Sequence, residues 1–376
     1  MNGSDVASGG VGHLYVHLPF CAHRCGYCDF VTAVGRLEGH AAYADALLAE
    51  LERGRWRLAP QLETVFLGGG TPTFTEPEAL DSVLAALPDA GELTVEANPE
   101  TVTPELASLL REGGVNRVSL GAQSFRPRLL EVLERVAGPD DVRRAVHNLR
   151  DAGFDNISLD LIYGIPGQSA ADLEADLADA LALEPEHLSC YELEAKQGTR
   201  FTHAHGDELA RQAEAMEGYA ERVVETLTGA GYRWYETANF CRSKRGRDLR
   251  AQHNLAIWRG ADYLGIGVGA VSTLGAERRR NLPSVARYVA ALEGGDAPPR
   301  EVERLDAPTR AVERLMLGLR LDEPFAVETA GVEDVVDADA LERLTVAGLV
   351  DRVGEGVRLT SRGRLLGGAV TAELLA

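Results

Sequence analysis

A chain of 376 residues with 45% apolar side chains, and no apolar run approaching the roughly 20 residues of a membrane span, reads as one large domain plus an appendage without a transmembrane segment. Its 58 acidic against 38 basic side chains give a net charge of -20, which repels polyanions and excludes nucleic acid as a partner. Five cysteines, three of them clustered, are too few and too uneven for a disulfide framework and suit a reducing cytoplasm.

The first ten residues lack both a basic start and an apolar stretch, so 1–12 is expected to be a disordered tail and not a signal peptide, with the protein cytoplasmic. A strand candidate at 14–18 then leads into Cys21-Ala22-His23-Arg24-Cys25-Gly26-Tyr27-Cys28-Asp29-Phe30, where the spacing is C-x3-C-x2-C. Three thiolates can hold three corners of a cubane [4Fe-4S] cluster and leave the fourth iron open to a ligand. A structural zinc ion would want a fourth Cys or His; His23 lies inside the same tight loop, where four groups could hardly converge on one ion. The Cys25/Cys28 pair alone suggests a redox dithiol, and c-type haem attachment fails because Asp29 follows Cys28.

From 13 to about 195, strand candidates at 14–18, 64–67, 93–96, 117–121, 156–162 and 187–193 alternate with helical patterns at 41–52, 78–87, 104–110, 140–151 and 172–183. Thr75 and Thr103 stand where N-caps are wanted. Six βα units make three quarters of an eight-stranded barrel, so an open (β/α)6 partial barrel is expected over 13–235. In parallel barrels the site gathers at the C-terminal ends of the strands. The polar residues fall there: Cys21, Gly68 to Thr71, Glu96 and Asn98, Gln123, Asp160 and Tyr163, Tyr191 and Glu192.

The alternation weakens over 236–304, a bridging region with a basic loop at 242–250 and a Gly-rich strand candidate at 263–271. Its Gly265-Ile266-Gly267-Val268-Gly269-Ala270 lacks the βαβ setting of a dinucleotide site. Over 305–376, helices at 309–317 and 337–347, strands at 349–353 and 357–360 and a last helix near 362–375 suggest a small winged-helix-like α+β domain. Its acidic content points to a packing or partner surface and away from DNA. His203 and His205 lack a third ligand and read as exposed loop residues, Cys190 as a small core residue and Cys241 as a buried spectator.

The cysteine spacing, with an aromatic residue two positions beyond Cys28, resembles the signature of radical S-adenosylmethionine (SAM) proteins. The resemblance implies a [4Fe-4S] cluster on Cys21, Cys25 and Cys28, SAM chelating the open iron, and an electron donor such as flavodoxin or ferredoxin. Further motifs extend it over nearly the whole chain: Tyr15 to Cys21, Gly68-Gly69-Gly70-Thr71-Pro72-Thr73, Val95-Glu96-Ala97-Asn98-Pro99, Gly121-Ala122-Gln123-Ser124-Phe125 and Asp160 to Gln168. These are similar to the branch that holds oxygen-independent coproporphyrinogen III oxidase and the HemW haem chaperones. By position, the resemblance implies SAM contacts at Tyr15, Gly69, Gly70, Thr71, Glu96, Gln123, Arg135 and Asp160.

Each motif also has a physical use of its own. Glycines at 68–70 would let backbone amides approach a bound methionine amino group or carboxylate, and a tight turn without ligand is the plainer alternative. Glu96 could accept from ribose hydroxyls or face the sulfonium side, or be a solvated carboxylate at the barrel rim.

Two departures separate the oxidase from the chaperone. The oxidase carries a fourth cysteine where Phe30 stands here, and a long N-terminal segment where only 20 residues precede Cys21. Both favour the chaperone branch and argue against coproporphyrinogen oxidase activity, while whether the protein is an enzyme stays open. His253-Asn254-Leu255-Ala256-Ile257-Trp258 is similar to the H-N-x-x-Y-W motif of that branch, with Ile257 in place of Tyr. It implies a haem ligand at His253, a structural histidine being the alternative. The expectation is a haem chaperone that binds the cluster, SAM and haem and passes haem to haemoproteins of the membrane; the second reading is the porphyrinogen oxidase, and the third a radical enzyme on another substrate.

Overall fold

The computed structural model describes residues 10–35, 39–194, 200–244, 246–327 and 331–375, so most of the expected N-terminal tail lies outside the described residues. Six apolar segments form β1 (His13–Leu18), β2 (Leu62–Gly69), β3 (Ala90–Ala97), β4 (Arg117–Gln123), β5 (Ile157–Tyr163) and β6 (His187–Glu192). They pair in chain order, all parallel. That arrangement buries both sheet faces and explains why these runs are nearly continuous in Val, Leu and Ile.

The connecting helices are α1 (His40–Gly54), α2 (Pro77–Ala86), α3 (Pro104–Glu112), α4 (Pro127–Val132), α5 (Pro139–Asp151) and α6 (Ala170–Ala182). Each turns one apolar stripe inward; α5 buries Val142, Ala145, Val146 and Leu149, one face at helical spacing. Thr103 caps α3 as expected, accepting from the Leu106 amide at 3.2 Å. Thr75 does not cap α2. Pro77 takes the first helical position, Glu76 becomes the N-cap, and the Thr75 hydroxyl is buried without a hydrogen-bond partner.

The sheet does not close. After α7 (Arg200–Ala213) and α8 (Met216–Gly229), β7 (Tyr232–Glu236) and β8 (Asn239–Arg242) add an antiparallel pair beside β6. Helix α9 (Gln252–Trp258) precedes β9 (Leu264–Ile266), which pairs parallel with β1. The order is β9-β1-β2-β3-β4-β5-β6-β8-β7, an open barrel with guarded edges. Sequence reading missed β7 because Arg233 and Glu236 obscure its pattern; Glu236 is tolerated at 0% exposure because Arg320 pairs with it at 2.6 Å. The expected single strand over 263–271 is two. Gly267 at φ +99° and Gly269 at φ +71° break it, and Val271–Leu274 starts a separate three-stranded sheet.

The C-terminal region builds its own apolar cluster around Leu315, Leu319, Val350, Val357, Leu359 and Leu374. It contains helices Ala307–Gly318 and Ala338–Val346 and a small sheet, and the expected last helix is two, Ser361–Leu365 and Gly367–Leu374. Arg364 ties this region to the barrel, its guanidinium 3.7 Å from the Trp234 ring centroid and donating to the Trp234 carbonyl at 2.8 Å. Among the described residues no helix is long and apolar enough to cross a membrane.

Candidate metal centre and cofactor site

The loop after β1 is held by backbone bonds that leave its thiols for other work. Ala33 N donates to Pro19 O, Thr71 N to Phe20 O and Cys28 N to Cys25 O. Cys21, Cys25 and Cys28 all border one cavity of about 320 Å³ at the C-terminal ends of the strands, together with Gly70, Thr71, Glu96, Gln123, Arg135 and Asp160. Nine of the twelve residues expected at the site therefore converge. Tyr15, Gly69 and His253 do not border this cavity.

A hydrogen-bonded arc connects two of the thiols. Cys21 Sγ lies 3.4 Å from Thr71 Oγ1, Asn98 Nδ2 donates to Thr71 Oγ1 at 3.0 Å, and Arg135 Nη2 donates to Asn98 Oδ1 at 2.9 Å. Arg135 Nη1 then reaches Cys25 Sγ at 3.7 Å, and Nη2 also donates to Gly121 O. Burial pushes the Cys21 and Cys28 thiols up, so both would lose a proton on binding iron. No group of three His, Cys, Asp or Glu among the described residues is placed to hold a single ion. Three thiols around a cavity do suit a cluster that spreads its charge over several irons.

Two half-buried carboxylates, Glu96 and Asp160, border the same cavity. Burial, then repulsion from Asp160, raises Glu96 to about 7. Burial also raises Asp160, against the pull of serine hydroxyls and Arg117. A ligand with a sulfonium and an ammonium group would relieve both, which is the charge pattern SAM presents. Gln123 is aimed inward by a strained backbone: φ is +64° for a non-glycine residue, at a register shift between Gly121 and Gln123 on β4.

The glycine run serves the fold in a way sequence reading did not foresee. The amides of Gly69, Gly70 and Thr71 are all engaged within the chain, by Glu96 Oε2, Leu18 O and Phe20 O. A Cβ on Gly69, at φ +115°, would lie 2.5 Å from the His17 ring, and one on Gly70 would lie 2.4 Å from Pro19 O. Gly69→Ala is therefore expected to cost more than about 2 kcal/mol in urea unfolding through combined strain and overpacking; an unchanged midpoint would refute this.

Tyr15 lies deeper in the barrel, its hydroxyl 3.1 Å from His17 Nδ1 and its ring stacked on Phe66. His253 sits at the far, N-terminal end of the strands. The two carboxylate oxygens of Glu92 accept from the Gln252 and His253 amides, capping α9 beneath the sheet. Thr64 Oγ1 lies 2.8 Å from His253 Nδ1 and 2.9 Å from His13 Nδ1. Burial pushes His253 down to about 3, and its Nε2 has no hydrogen-bond partner. Trp258 packs on Tyr235.

Asn98, expected at the strand end but given no ligand role, borders the cavity, as do Tyr27, Ser119 and His23, which were not among the expected site residues. The strand-end position of Asn98 was the available signal; His23 was weighed only as a zinc ligand. Cys190 and Cys241 are buried as expected, and burial pushes Cys241 up to about 11.

Comparison with known proteins agrees with this geometry. Residues 15–180 match the radical SAM superfamily and 305–366 the HemN C-terminal domain. Coproporphyrinogen III oxidase (HemN) from Escherichia coli superposes with a TM-score of 0.75 over 97% of this chain and 90% of that one, at 23% identity, a likeness of fold. An open parallel barrel with three thiols at its mouth is the architecture of a radical SAM protein, and that is the class of this chain. Heme chaperone HemW from Mycobacterium tuberculosis (strain H37Rv) is 36% identical over 375 residues, spanning 96% of this chain and 94% of that protein. Heme chaperone HemW from Bacillus subtilis (strain 168) is 34% identical over 377 residues, spanning 96% and 98%. The chain belongs to the HemW family.

Proposed function

We propose that this protein is a cytoplasmic haem chaperone that carries a [4Fe-4S] cluster and SAM and hands haem to haemoproteins of the membrane. The observation that carries the reading is whole-length similarity to proteins named heme chaperone HemW, joined to a cluster loop with Phe30 in place of the oxidase's fourth cysteine. Cys21, Cys25 and Cys28 would hold three irons. When bound, the cluster and SAM supply a 5'-deoxyadenosyl radical on arrival of an electron, for which flavodoxin or ferredoxin is the proposed donor.

The chain's own side chains do the positioning. Arg135 neutralises charge at Cys25 and braces Asn98 and Thr71, and so links the cysteine loop to the ends of β2, β3 and β4. Glu96, Asp160 and Gln123 would orient SAM within the cavity, where partial burial strengthens the attraction of the carboxylates for its positive groups. Gly70 and Thr71 would bound the methionine end.

Two measurements test the reading together. Reconstituted anaerobic protein given coproporphyrinogen III, SAM and a reductant is expected to form no protoporphyrinogen, while a haem titration is expected to change the Soret band. Protoporphyrinogen formation would instead establish the oxidase.

A further inference from the structure

Haem needs three things from a protein surface: a ligand for iron, flat apolar faces for the macrocycle and a cation for its propionates. Five of the nine histidines are unsuited by burial, with His13, His17, His40, His187 and His253 all at 7% exposure or less. His17 has both ring nitrogens engaged, by the Tyr15 hydroxyl and Val31 O, and His187 has both engaged by Ser158 and Tyr235. His253 keeps Nε2 unpartnered, but the rings of His13, Tyr15 and Phe66 pack 5.3 to 6.4 Å from it and close it off. His147 lies on α5 and pairs with Asp151, one helical turn on. His203 and His205 border a polar hollow with Asp207, Glu208 and Arg211.

His23 differs from all of these. It borders the cluster cavity with its side chain 47% exposed, and Nε2 stands 3.7 Å from Glu134 Oε2. A metal-binding imidazole commonly turns its second nitrogen to a carboxylate, so Glu134 would orient the ring and leave Nδ1 for iron. Phe30 and Tyr191 border the same cavity with 61% and 42% of their surface exposed, so two aromatic rings are open to a ligand at one site. Arg24 is exposed and borders the same cavity, its Nε and Nη2 donating to Cys28 O at 3.3 and 3.2 Å.

We propose that haem docks at the rim of the cluster cavity, with His23 as axial ligand, Phe30 and Tyr191 against the porphyrin and Arg24 facing the propionates. This rests on the reading of the chain as a haem carrier, and it moves the iron ligand from His253 to the loop between the first two cluster cysteines. Haem would then lie across the mouth of the cavity that holds the cluster and SAM, placing cargo and cofactor side by side.

Haem titration of the reconstituted protein, followed by Soret absorption and electron paramagnetic resonance, tests the site. His23→Ala is expected to weaken binding by about tenfold or more and to lose the imidazole-ligated spectrum, which added imidazole restores. Phe30→Ala is expected to weaken binding several-fold with that spectrum retained, and His147→Ala to behave as wild type. Iron, sulfide and SAM binding measured on each variant separate a lost haem site from a lost cluster. Wild-type affinity and spectrum in both His23→Ala and Phe30→Ala would overturn the site and leave the haem-carrier reading standing. No Soret change in the wild type would overturn that reading, and the site with it.

Discussion

Replacing Cys28 by alanine is expected to leave anaerobically reconstituted protein with less than about a tenth of its iron and sulfide, and without the sulfide-to-iron absorption. Two thiolates cannot hold a cubane whose fourth corner must stay open. The fold should survive, because the loop is anchored by main-chain bonds from Ala33 to Pro19 and from Thr71 to Phe20, none of which involves a thiol. Cys190→Ala and Cys241→Ala should keep a full cluster, since both thiols are buried away from the loop. Because burial raises the Cys21 and Cys28 thiols in the unloaded protein, cluster uptake should also release protons and strengthen as pH rises. Retention of iron and sulfide by Cys28→Ala would refute the assignment of the three cysteines.

Glu96→Gln is expected to stabilise the protein at alkaline pH and to weaken its hold on SAM. Burial and Asp160 raise the Glu96 carboxyl from 4.5 to about 7, so between those values the folded chain keeps a proton that the unfolded chain has lost. Stability from this group is complete below about pH 4.5 and is lost as pH climbs through 7, by about 3 kcal/mol in total. Glutamine cannot ionise, yet its carbonyl can still accept from the Gly69 amide, so the variant should melt several degrees above wild type near pH 8 without SAM. Near pH 5 the two should melt together. SAM binding should show the reverse: affinity in wild type rises from about pH 6 to about pH 8 as Glu96 ionises, and Glu96→Gln is weaker by about tenfold with that rise flattened. Parallel melting curves at both ends of the range would refute the buried-carboxylate argument.

How much of this was legible before any fold was known depends on the reach of the signal. The six parallel strands were readable because both faces of each are buried and the apolar runs are short and unbroken. The N-cap at Thr103 was local and correct, whereas Thr75 was pre-empted by Pro77 two positions on. Strand β7 stayed hidden because the partner that neutralises Glu236 is Arg320, far along the chain. The glycine run shows the same limit: its residues were picked out correctly, but their reason lay in His17 and Pro19 across the sheet.

Unaided, the order of residues determined the class of fold, the three thiols and the depth at which Glu96, Gln123 and Asp160 would sit, because spacing and strand period are properties of neighbours in the chain. Only the tertiary structure decided what those residues meet: that Arg135 closes an arc from Cys25 to Cys21, and that Glu92 caps His253 at the end of the barrel remote from the thiols. Such pairings join side chains tens to hundreds of residues apart, and their geometry is set by how the sheet twists and curls, which no local pattern records.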